Sequence, residues 1–299
     1  MPTSDAKGLF GPESATWMVD REIALFLGGP RALLLQIAHP AVAAAVEKHS
    51  DFRSDPLGRL QRTLTSVFTI VFGDRAAATA AAERVARRHT PVRGVVTELS
   101  PSPWSGKAYR AEDPELLLWV HATLVDTAMR VFSTLVRRLE PGEAASYYDE
   151  SKRVGELLGI PRDVLPPTLG AFHDYFDGMV NGPVLQVGGC ARAQCADLAR
   201  FKPSDSFSSI YGEEWGRRWS KQIDRPALKR VFARSTDLLG AGMLPERLRT
   251  AFGYRWGRRD RASYEALISM VRVTYRALPA SIRFLPGYRG ALARAQGAC

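Results

Sequence analysis

Residues 112–142 read EDPELLLWVHATLVDTAMRVFSTLVRRLEPG, and this stretch decides the fold class. Asp113 followed by Pro114 is typical of a helix start, and Pro141 followed by Gly142 is typical of a helix end. Between them, apolar residues recur at i, i+3 and i+4, without the alternation expected of a strand. Such an apolar face must pack against other helices. The same periodicity recurs along most of the chain, so we predict an all-α fold.

The other helices are predicted from apolar spacing together with proline, glycine and capping residues. They are expected at about 28–49, 54–73, 74–89, 143–158, 167–180, 192–200, 212–222, 226–238, 244–252 and 260–277. Pro40 should kink the first of these helices just after His39. Asp55 should open the second, and Asp74 should cap the third. Residues 94–110 predict a loop or a short hairpin.

The chain is predicted to form one globular domain of many helices over about residues 10–290. No internal repeat, heptad array or low-complexity tract interrupts it, and no shift in composition marks a boundary. Residues 181–235 form an irregular segment within it, which we expect to be a lid or an insertion.

Composition limits the compartment and the partners. The 41 Lys and Arg residues against 31 Asp and Glu give a net charge of +10, which favours anionic ligands or membrane surfaces. The three cysteines form no C-x-x-C pair, and the N-terminus lacks the basic and apolar regions of a secretory signal. We expect a cytoplasmic protein, with peripheral contact to a membrane as an additional option.

Several enzyme classes lose their usual signatures. The chain contains no G-x-G-x-x-G, no Walker-type G-x-x-x-x-G-K-[ST], no G-x-S-x-G and no H-E-x-x-H. A ferritin-like di-iron site needs Glu-x-x-His pairs. No glutamate here has a histidine three residues later, so that chemistry is also excluded.

Histidines and arginines on predicted helices remain as candidate functional residues. His121 shares its helix face with Leu117, Leu124 and Val125, so its side chain should be buried. It is either a hydrogen-bonded core histidine or a group that lines a cofactor pocket. His39 precedes Pro40 and is either a histidine at a helix kink or a lesser candidate for the cofactor.

Arg59, Arg62, Thr63 and Ser66 form a polar stripe on an otherwise apolar helix. A solvated face explains such a stripe. If the stripe faces inward, its two guanidinium groups and a hydroxyl could bind a carboxylate or polarise a bound oxygen species.

His89 lies in RRHTPVRG, residues 87–94, among Arg87, Arg88 and Arg93. These cations should disfavour the imidazolium and keep the ring neutral, which is the form that binds metals. The same cations could neutralise carboxylates of a cofactor. A haem would use both the imidazole and the arginines, because its iron binds an imidazole and its propionates attract cations.

The chain resembles a known family in several segments that match in order. They are LFLGGPRALLLQIAHPAVAAAVEKHSDFRSDPLGRLQRTL, RRHTPVRG, YRAEDPELLLWVHATLVDT and LPERLRTAFGYRWGRRDRASYEALI. These segments resemble the MpaB-type oxygenases, which include the rubber oxygenase, or latex-clearing protein. The similarity covers roughly residues 10–180 and, more loosely, 240–290.

The resemblance implies an all-α fold with a globin-like haem pocket, a b-type haem, and O2-dependent chemistry on hydrophobic substrates. In the rubber oxygenase branch, the proximal ligand lies in an R-x-x-H-x-x-V-R type segment, which falls on His89. The distal R-x-x-K-T stripe matches RLQRT, with Arg59, Arg62 in place of the lysine, and Thr63. A further pocket residue of that branch aligns near His121, which is therefore a second candidate ligand.

The leading hypothesis is a haem b oxygenase that uses O2 on a hydrophobic small molecule. Iron would be bound by His89, or alternatively by His121. The catalytic group would contain Arg59, Arg62, Thr63 and His121, and the cofactor would also contact Arg88, Arg93 and His39. Leu34, Phe68, Phe72, Leu117 and Leu124 would supply a dry pocket. No motif identifies an electron donor.

Two other functions remain open from the residues. The first is a haem-dependent oxidase that uses peroxide. The second is a basic helical protein without catalysis, which would bind nucleic acid or an anionic membrane or carry haem. No helix-turn-helix pattern or aromatic–basic interleaving supports nucleic-acid binding, so we expect no nucleic-acid partner. Pro91 is expected to interrupt the helix that carries His89.

Overall fold

Helices make up most of the computed structural model, which describes residues 8–50, 56–98, 101–198 and 226–297. For residues 56–61, 64, 227–233 and 236 the description covers the backbone alone. Within these ranges the strands are confined to one antiparallel pair, β1 (Arg93–Val95) and β2 (Ala108–Arg110). The all-α prediction is confirmed, and so is a short hairpin within residues 94–110.

The helices occur in the following order along the chain. The first half contains α1 (Ala15–Asp20), a 3-10 segment (Ile23–Gly28), α2 (Gly29–Ile37), α3 (Pro40–His49), α4 (Pro56–Phe72) and α5 (Arg75–His89). Next come α6 (Pro114–Val131), a π-helical segment (Phe132–Val136), α7 (Pro141–Leu157), α8 (Leu169–Asn181) and α9 (Gly189–Leu198). The last are α10 (Pro226–Met243), α11 (Glu246–Ala251), α12 (Arg258–Ala277), α13 (Ala280–Arg283) and α14 (Pro286–Ala295).

The sequence pattern does not predict every helix. The α1 and α13 helices have six and four residues, which is too short for a helical period to stand out. The α14 helix was also not expected. The helix predicted at 212–222 lies outside the described residues. Within the expected irregular segment 181–235, the structure describes α9 and the first part of α10.

Pro40 divides the first predicted helix into two. The α2 helix ends at Ile37, and His39 takes an extended conformation, as a residue before proline must. His39 then acts as the N-cap of α3, because its Nδ1 accepts a hydrogen bond of 3.2 Å from the backbone N–H of Ala41. Its ring also meets the ring of Trp104 edge-on, with centroids 5.1 Å apart.

The helix that opens at Pro114 stops before the predicted Pro141–Gly142 end. After Val131 the helix continues as the π-helical segment, and the backbone is extended at Arg137. Asp113 occupies the N-cap position, but its side chain does not cap the helix. Its Oδ2 instead accepts a hydrogen bond of 2.8 Å from the backbone N–H of Arg110, so it tightens the turn after β2.

Helices α4 and α5 form a hairpin. Asp74 caps α5 as predicted, since its Oδ1 accepts a hydrogen bond of 2.7 Å from the Ala77 N–H. A side chain at Gly73 would collide with the Thr69 carbonyl oxygen, so the tight turn requires glycine. The hairpin packs against α1, α7 and α14 through a second hydrophobic cluster that includes Trp17 and Tyr288.

Helix α6 lies at the centre of the main hydrophobic cluster. Trp119 is fully buried, and its Nε1 donates a hydrogen bond of 3.2 Å to the Leu35 carbonyl of α2. The run Pro114–Val136 is long and apolar enough to cross a membrane, but 61% of its most apolar stretch is buried inside the protein. Its apolar side chains are therefore largely used in internal packing.

A buried arginine joins α2, α6 and α10. The Arg31 side chain has no exposed surface, and its Nε donates to the Met243 carbonyl at 2.9 Å. Its Nη1 donates to Thr127 Oγ1 at 2.6 Å, and its Nη2 lies 2.6 Å from Asp126 Oδ2. Burial lowers the pKa of Arg31, and the charge of Asp126 opposes that shift. These contacts hold three helices that are distant in sequence.

We predict that Arg31→Met lowers the free energy of unfolding by about 3–5 kcal/mol, because it leaves a buried carboxylate without its partner. Urea unfolding measures this loss. The matched control is Arg87→Met, which breaks an exposed pair with Glu83 in which both side chains are over 60% exposed. That control should lose no more than about 1 kcal/mol. Equal losses in the two variants would contradict this account of Arg31.

Asp20 anchors α1 to α7. Tyr147 donates a hydrogen bond of 2.9 Å from its hydroxyl to Asp20 Oδ1, and both residues are buried. Burial raises the pKa of Asp20 from 3.8 to about 7; the Tyr147 hydrogen bond opposes this shift, and the charge of Glu150 adds to it. The folded protein therefore retains a proton on Asp20 at pH values where the unfolded chain has released it.

Between about pH 4 and pH 7 the folded state thus binds more protons than the unfolded state, so this residue makes stability fall as pH rises. From pH 5 to pH 8 we expect its contribution to fall by about 2–3 kcal/mol, at about 1.4 kcal/mol per pH unit. Asp20→Asn should remove this part of the pH dependence in urea unfolding. The control Asp149→Asn, at a side chain that is 75% exposed, should retain it.

Candidate functional site

The α4–α5 hairpin brings most of the predicted site residues to one end. Only Gly73 and Asp74 separate the two helices, so the helices run antiparallel, and residues equally far from the turn lie side by side. Arg59, Arg62 and Thr63 in the first half of α4 therefore lie at the same end of the hairpin as His89, the last residue of α5. We call this the open end of the hairpin.

The side chains of the predicted polar stripe differ in burial. Arg62 is half-buried and Thr63 is exposed, whereas the Arg59 side chain lies outside the described residues. Ser66 is half-buried, and its hydroxyl donates to the Arg62 carbonyl at 2.9 Å. Ser66 therefore forms a hydrogen bond within its own helix, and Arg62 is the described cation of the stripe nearest to the interior.

His89 is half-buried beside an acidic residue. The α5 helix ends at His89, two residues before Pro91, which is consistent with the expected interruption. Thr90 donates from its hydroxyl to Glu112 Oε1 at 2.8 Å, and this hydrogen bond lowers the pKa of Glu112. Arg110 and His89 lower it further by their charges. Only the arginines around His89 are evident from the sequence. Glu112 is distant in sequence, and the β1–β2 hairpin brings it close to His89.

The arginines near His89 are on the surface. Arg87 forms an ion pair of 3.5 Å with Glu83 one turn earlier on α5. Arg88 and Arg93 are exposed. Arg93 belongs to β1, and its carbonyl is 3.0 Å from His49 Nε2 at the end of α3. Exposed guanidinium groups of this kind can pair with the carboxylates of a bound group without a large desolvation cost.

His121 is buried as its spacing predicted, with 7% of its surface exposed. Burial lowers its pKa to about 4, and a hydrogen bond to the Ser151 backbone opposes the shift. A ring N–H that donates to a backbone carbonyl raises the pKa in this way. We therefore infer that the ring proton lies on Nδ1 and that Nε2 carries the lone pair. Among the described residues, this buried Nε2 has no hydrogen-bond partner.

The His121 ring packs closely against Gly155 of α7. A Cβ at this position would lie 3.3 Å from His121 Nε2 and 3.2 Å from a methyl group of Leu165. Any larger residue would therefore press on the ring. The adjacent residue Val154 packs into the cluster of the α4–α5 hairpin. One turn of α7 thus separates His121 from that hairpin.

The apolar residues expected to line one dry pocket belong to different clusters. Leu34 lies in the main core, Phe68 and Phe72 lie with the α4–α5 hairpin, and Leu117 packs beside Ile160 and Leu165. Leu124 is half-buried. Helical spacing identified these residues as inward-facing, but the structure distributes them among three groups.

The described side chains suit a metal cofactor that takes one ligand from the protein better than a metal ion that needs several protein ligands. In the described part of the chain, no three His, Cys, Asp or Glu side chains converge in a way that could hold a metal ion. A haem iron can take a single imidazole from the protein, as in globins. The neutral ring of His121, whose Nε2 has no hydrogen-bond partner among the described residues, meets that requirement. His89 at the open end stays the other predicted ligand.

His39 is buried like His121, but one of its ring nitrogens forms a helix-capping hydrogen bond. Its pKa is also lowered by burial to about 4, but its Nδ1 is engaged with Ala41 in capping α3. The structure thus gives His39 a stabilising role at the start of α3. Its assignment to the cofactor stays a prediction.

Comparison with known proteins identifies two similar mycobacterial chains. An uncharacterized protein of Mycobacterium bovis is 24% identical over 251 residues, which cover 83% of this chain and 87% of that protein. An uncharacterized protein of Mycobacterium tuberculosis is similar to the same extent. No solved structure matches the chain.

The family comparison is more informative about chemistry. Residues 16–273 match the family described as "ER-bound oxygenase mpaB/B'/Rubber oxygenase, catalytic domain". The match covers the α4–α5 hairpin, α6 with His121 and α7 with Gly155. It confirms the resemblance seen in the sequence segments. The chain therefore belongs to this family of oxygenase catalytic domains.

Proposed function

We propose that this protein is a haem b-dependent oxygenase that acts on a hydrophobic small molecule with O2. Membership of the oxygenase family supports the reaction class. The observation that carries the cofactor is the buried, neutral and unpartnered Nε2 of His121, together with His89 at the open end of the hairpin. An unpaired buried nitrogen costs about 1–3 kcal/mol, which a bound group would recover.

His89 is proposed as the iron ligand that the resemblance implies. The hairpin places Arg59, Arg62 and Thr63 at the same end, and Arg88 and Arg93 offer exposed cations for the propionates. When bound, the haem would supply the activation of O2. Arg62 would donate hydrogen bonds to the reacting oxygen or to a propionate, with Thr63 beside it. His39 would support the site only through the start of α3.

His121 is the alternative iron ligand, and otherwise a distal or wall group of the site. Its low pKa keeps the ring neutral above about pH 5, so Nε2 can bind a metal throughout the physiological range, whereas the same low pKa makes the ring a weak proton acceptor. A residue larger than glycine at position 155 would press on the His121 ring, so this role depends on Gly155.

The remaining features of the proposal follow from burial and charge. Apolar side chains surround His121 and the hairpin, which favours a hydrophobic substrate and a dry site. Cys190 and Cys195 form no disulfide, in keeping with a reducing, cytoplasmic compartment. The electron donor is not identified by these residues, and peripheral membrane contact remains a secondary proposal.

We expect haemin to bind the purified protein and give a Soret band. His89→Ala should abolish or shift that band, while His173→Ala, at an exposed ring on α8, should leave it unchanged. Optical titration with haemin measures both effects. If His121→Ala rather than His89→Ala removes the ligand signature, the two assignments must be exchanged. Absence of haem uptake by the wild-type protein would refute the proposal.

The second prediction concerns the reaction. With the haem-loaded protein and squalene as a hydrophobic alkene probe, Arg62→Leu should slow O2 uptake about 100-fold, the effect of losing one preorganised donor. Thr65→Val, at an exposed position of the same helix, should leave the rate unchanged. An oxygen electrode measures the rate. Turnover of guaiacol with peroxide, but no O2 uptake, would instead support a peroxidase-like oxidase.

A further inference from the structure

A cavity of about 380 Å³ lies at the far end of α6, where the π-helical segment ends. Its lining residues are Met18, Arg21, Glu22, Phe132, Val136, Arg137, Arg276 and Arg283. The cavity therefore joins the end of α1, the π-helical segment, the end of α12 and α13. Its volume is within the range of small-molecule sites.

Two of the four arginines in this cavity are already neutralised by carboxylates. Glu22 is 2% exposed and accepts hydrogen bonds from the Tyr275 hydroxyl at 2.7 Å and from Arg283 Nη2 at 3.1 Å. Glu143 binds Arg137 through both oxygens, at 2.6 and 2.8 Å. Each of these carboxylates therefore balances one guanidinium group.

The other two arginines leave a surplus of positive charge. Arg276 donates from Nε to the Val136 carbonyl at 3.1 Å, and among the described residues no carboxylate pairs with it. Arg21 donates from Nη1 to the Tyr288 hydroxyl at 3.2 Å, and its Nε is 3.9 Å from Glu22, at the limit of an ion pair. Both cations are held in place while some of their N–H groups stay available.

Two buried donors strengthen this interpretation. Arg21 Nε and Arg283 Nε are buried and have no hydrogen-bond acceptor in the described part of the chain. The Arg21 guanidinium is held over the Phe284 ring at 4.4 Å from its centroid, which restricts its orientation. Preorganised, undersatisfied guanidinium groups are the usual partners of carboxylates and phosphates.

The rest of the wall is apolar. Met18, Phe132 and Val136 lie beside the arginines, so a purely inorganic anion would leave part of the cavity unused. A ligand that has an anionic head and an apolar body would match both halves. A π-helical turn, often found at functional sites, forms one side of this cavity.

The cavity is separate from the proposed oxygenase site. His121 and Phe132 are on one continuous helical run, and eleven residues at 1.5 Å each separate them by about 16 Å. Arg276 and Arg283 also lie beyond residues 16–273, the part of the chain that matches the family. The charge surplus thus depends partly on a C-terminal segment outside the family match.

We propose that this cavity binds a small amphiphilic anion, with a carboxylate or phosphate head on the guanidinium groups of Arg21 and Arg276 and an apolar body against Met18, Phe132 and Val136. Binding here is independent of haem and of the oxygenase reaction.

The test is calorimetric titration of the full chain with octyl phosphate, octanoate, inorganic phosphate and neutral 1-octanol. Arg276→Gln should weaken binding of the preferred octyl anion about tenfold or more, the effect of losing a charge-assisted contact. Arg272→Gln is the matched control, because Arg272 lies one turn earlier on α12 and donates to the Thr134 carbonyl at 2.8 Å without lining the cavity. It should change affinity less than twofold.

The outcomes separate the ligand sources. Tighter binding of octyl phosphate supports a phosphate head, and tighter binding of octanoate supports a carboxylate head. Three results would overturn the proposal. They are an affinity for 1-octanol equal to that for the octyl anions, an equal loss of affinity in both arginine variants, and no saturable binding of either octyl anion. If Arg276→Gln does not fold, as judged by circular dichroism, Arg21→Gln replaces it in the same comparison.

Discussion

The buried guanidinium of Arg31 fixes how the central helices pack. A charge without exposed surface must have all its partners in place, and these partners come from α6 and from the last residue of α10. Gly28, just before α2, lets this end of the helix approach α6, because a side chain there would meet Thr127 and Val131. The position of α2 then determines where α3 begins. One desolvated ion pair thus specifies the arrangement on which the candidate site is built.

Helix α7 contacts both parts of the candidate site. Its Val154 packs on the α4–α5 hairpin, and its Gly155 faces His121 on α6. Adjacent residues of one turn of α7 thus contact the hairpin that carries His89 and the ring of His121. A shift of α7 along its axis would change the contacts of the His121 ring and the packing of the hairpin, so this turn links core packing to the candidate site.

The sequence predicts what depends on neighbouring residues and fails where distant segments meet. The Asp74 cap and the burial of His121 follow from local spacing, and both are confirmed. The contact of Arg31 with Thr127 spans 96 positions, and no periodicity signals it. Spacing also showed that Leu34 and Phe68 face inward, but it did not show that they enter different clusters. Helical period identifies an apolar face, whereas the partner of that face is set by the tertiary fold.

The two buried histidines show why His121 is the stronger functional candidate. Burial lowers the pKa of His39 and of His121 to about the same value, so both rings are neutral. His39 uses a ring nitrogen to cap α3, and that bond explains its burial. His121 has one hydrogen bond, to the Ser151 backbone, and its buried Nε2 packs against Gly155 without a described partner. Leaving a buried ring nitrogen without a hydrogen bond costs about 1–3 kcal/mol. Nε2 has no partner among the described residues, so His121 ranks above His39 as a candidate functional group.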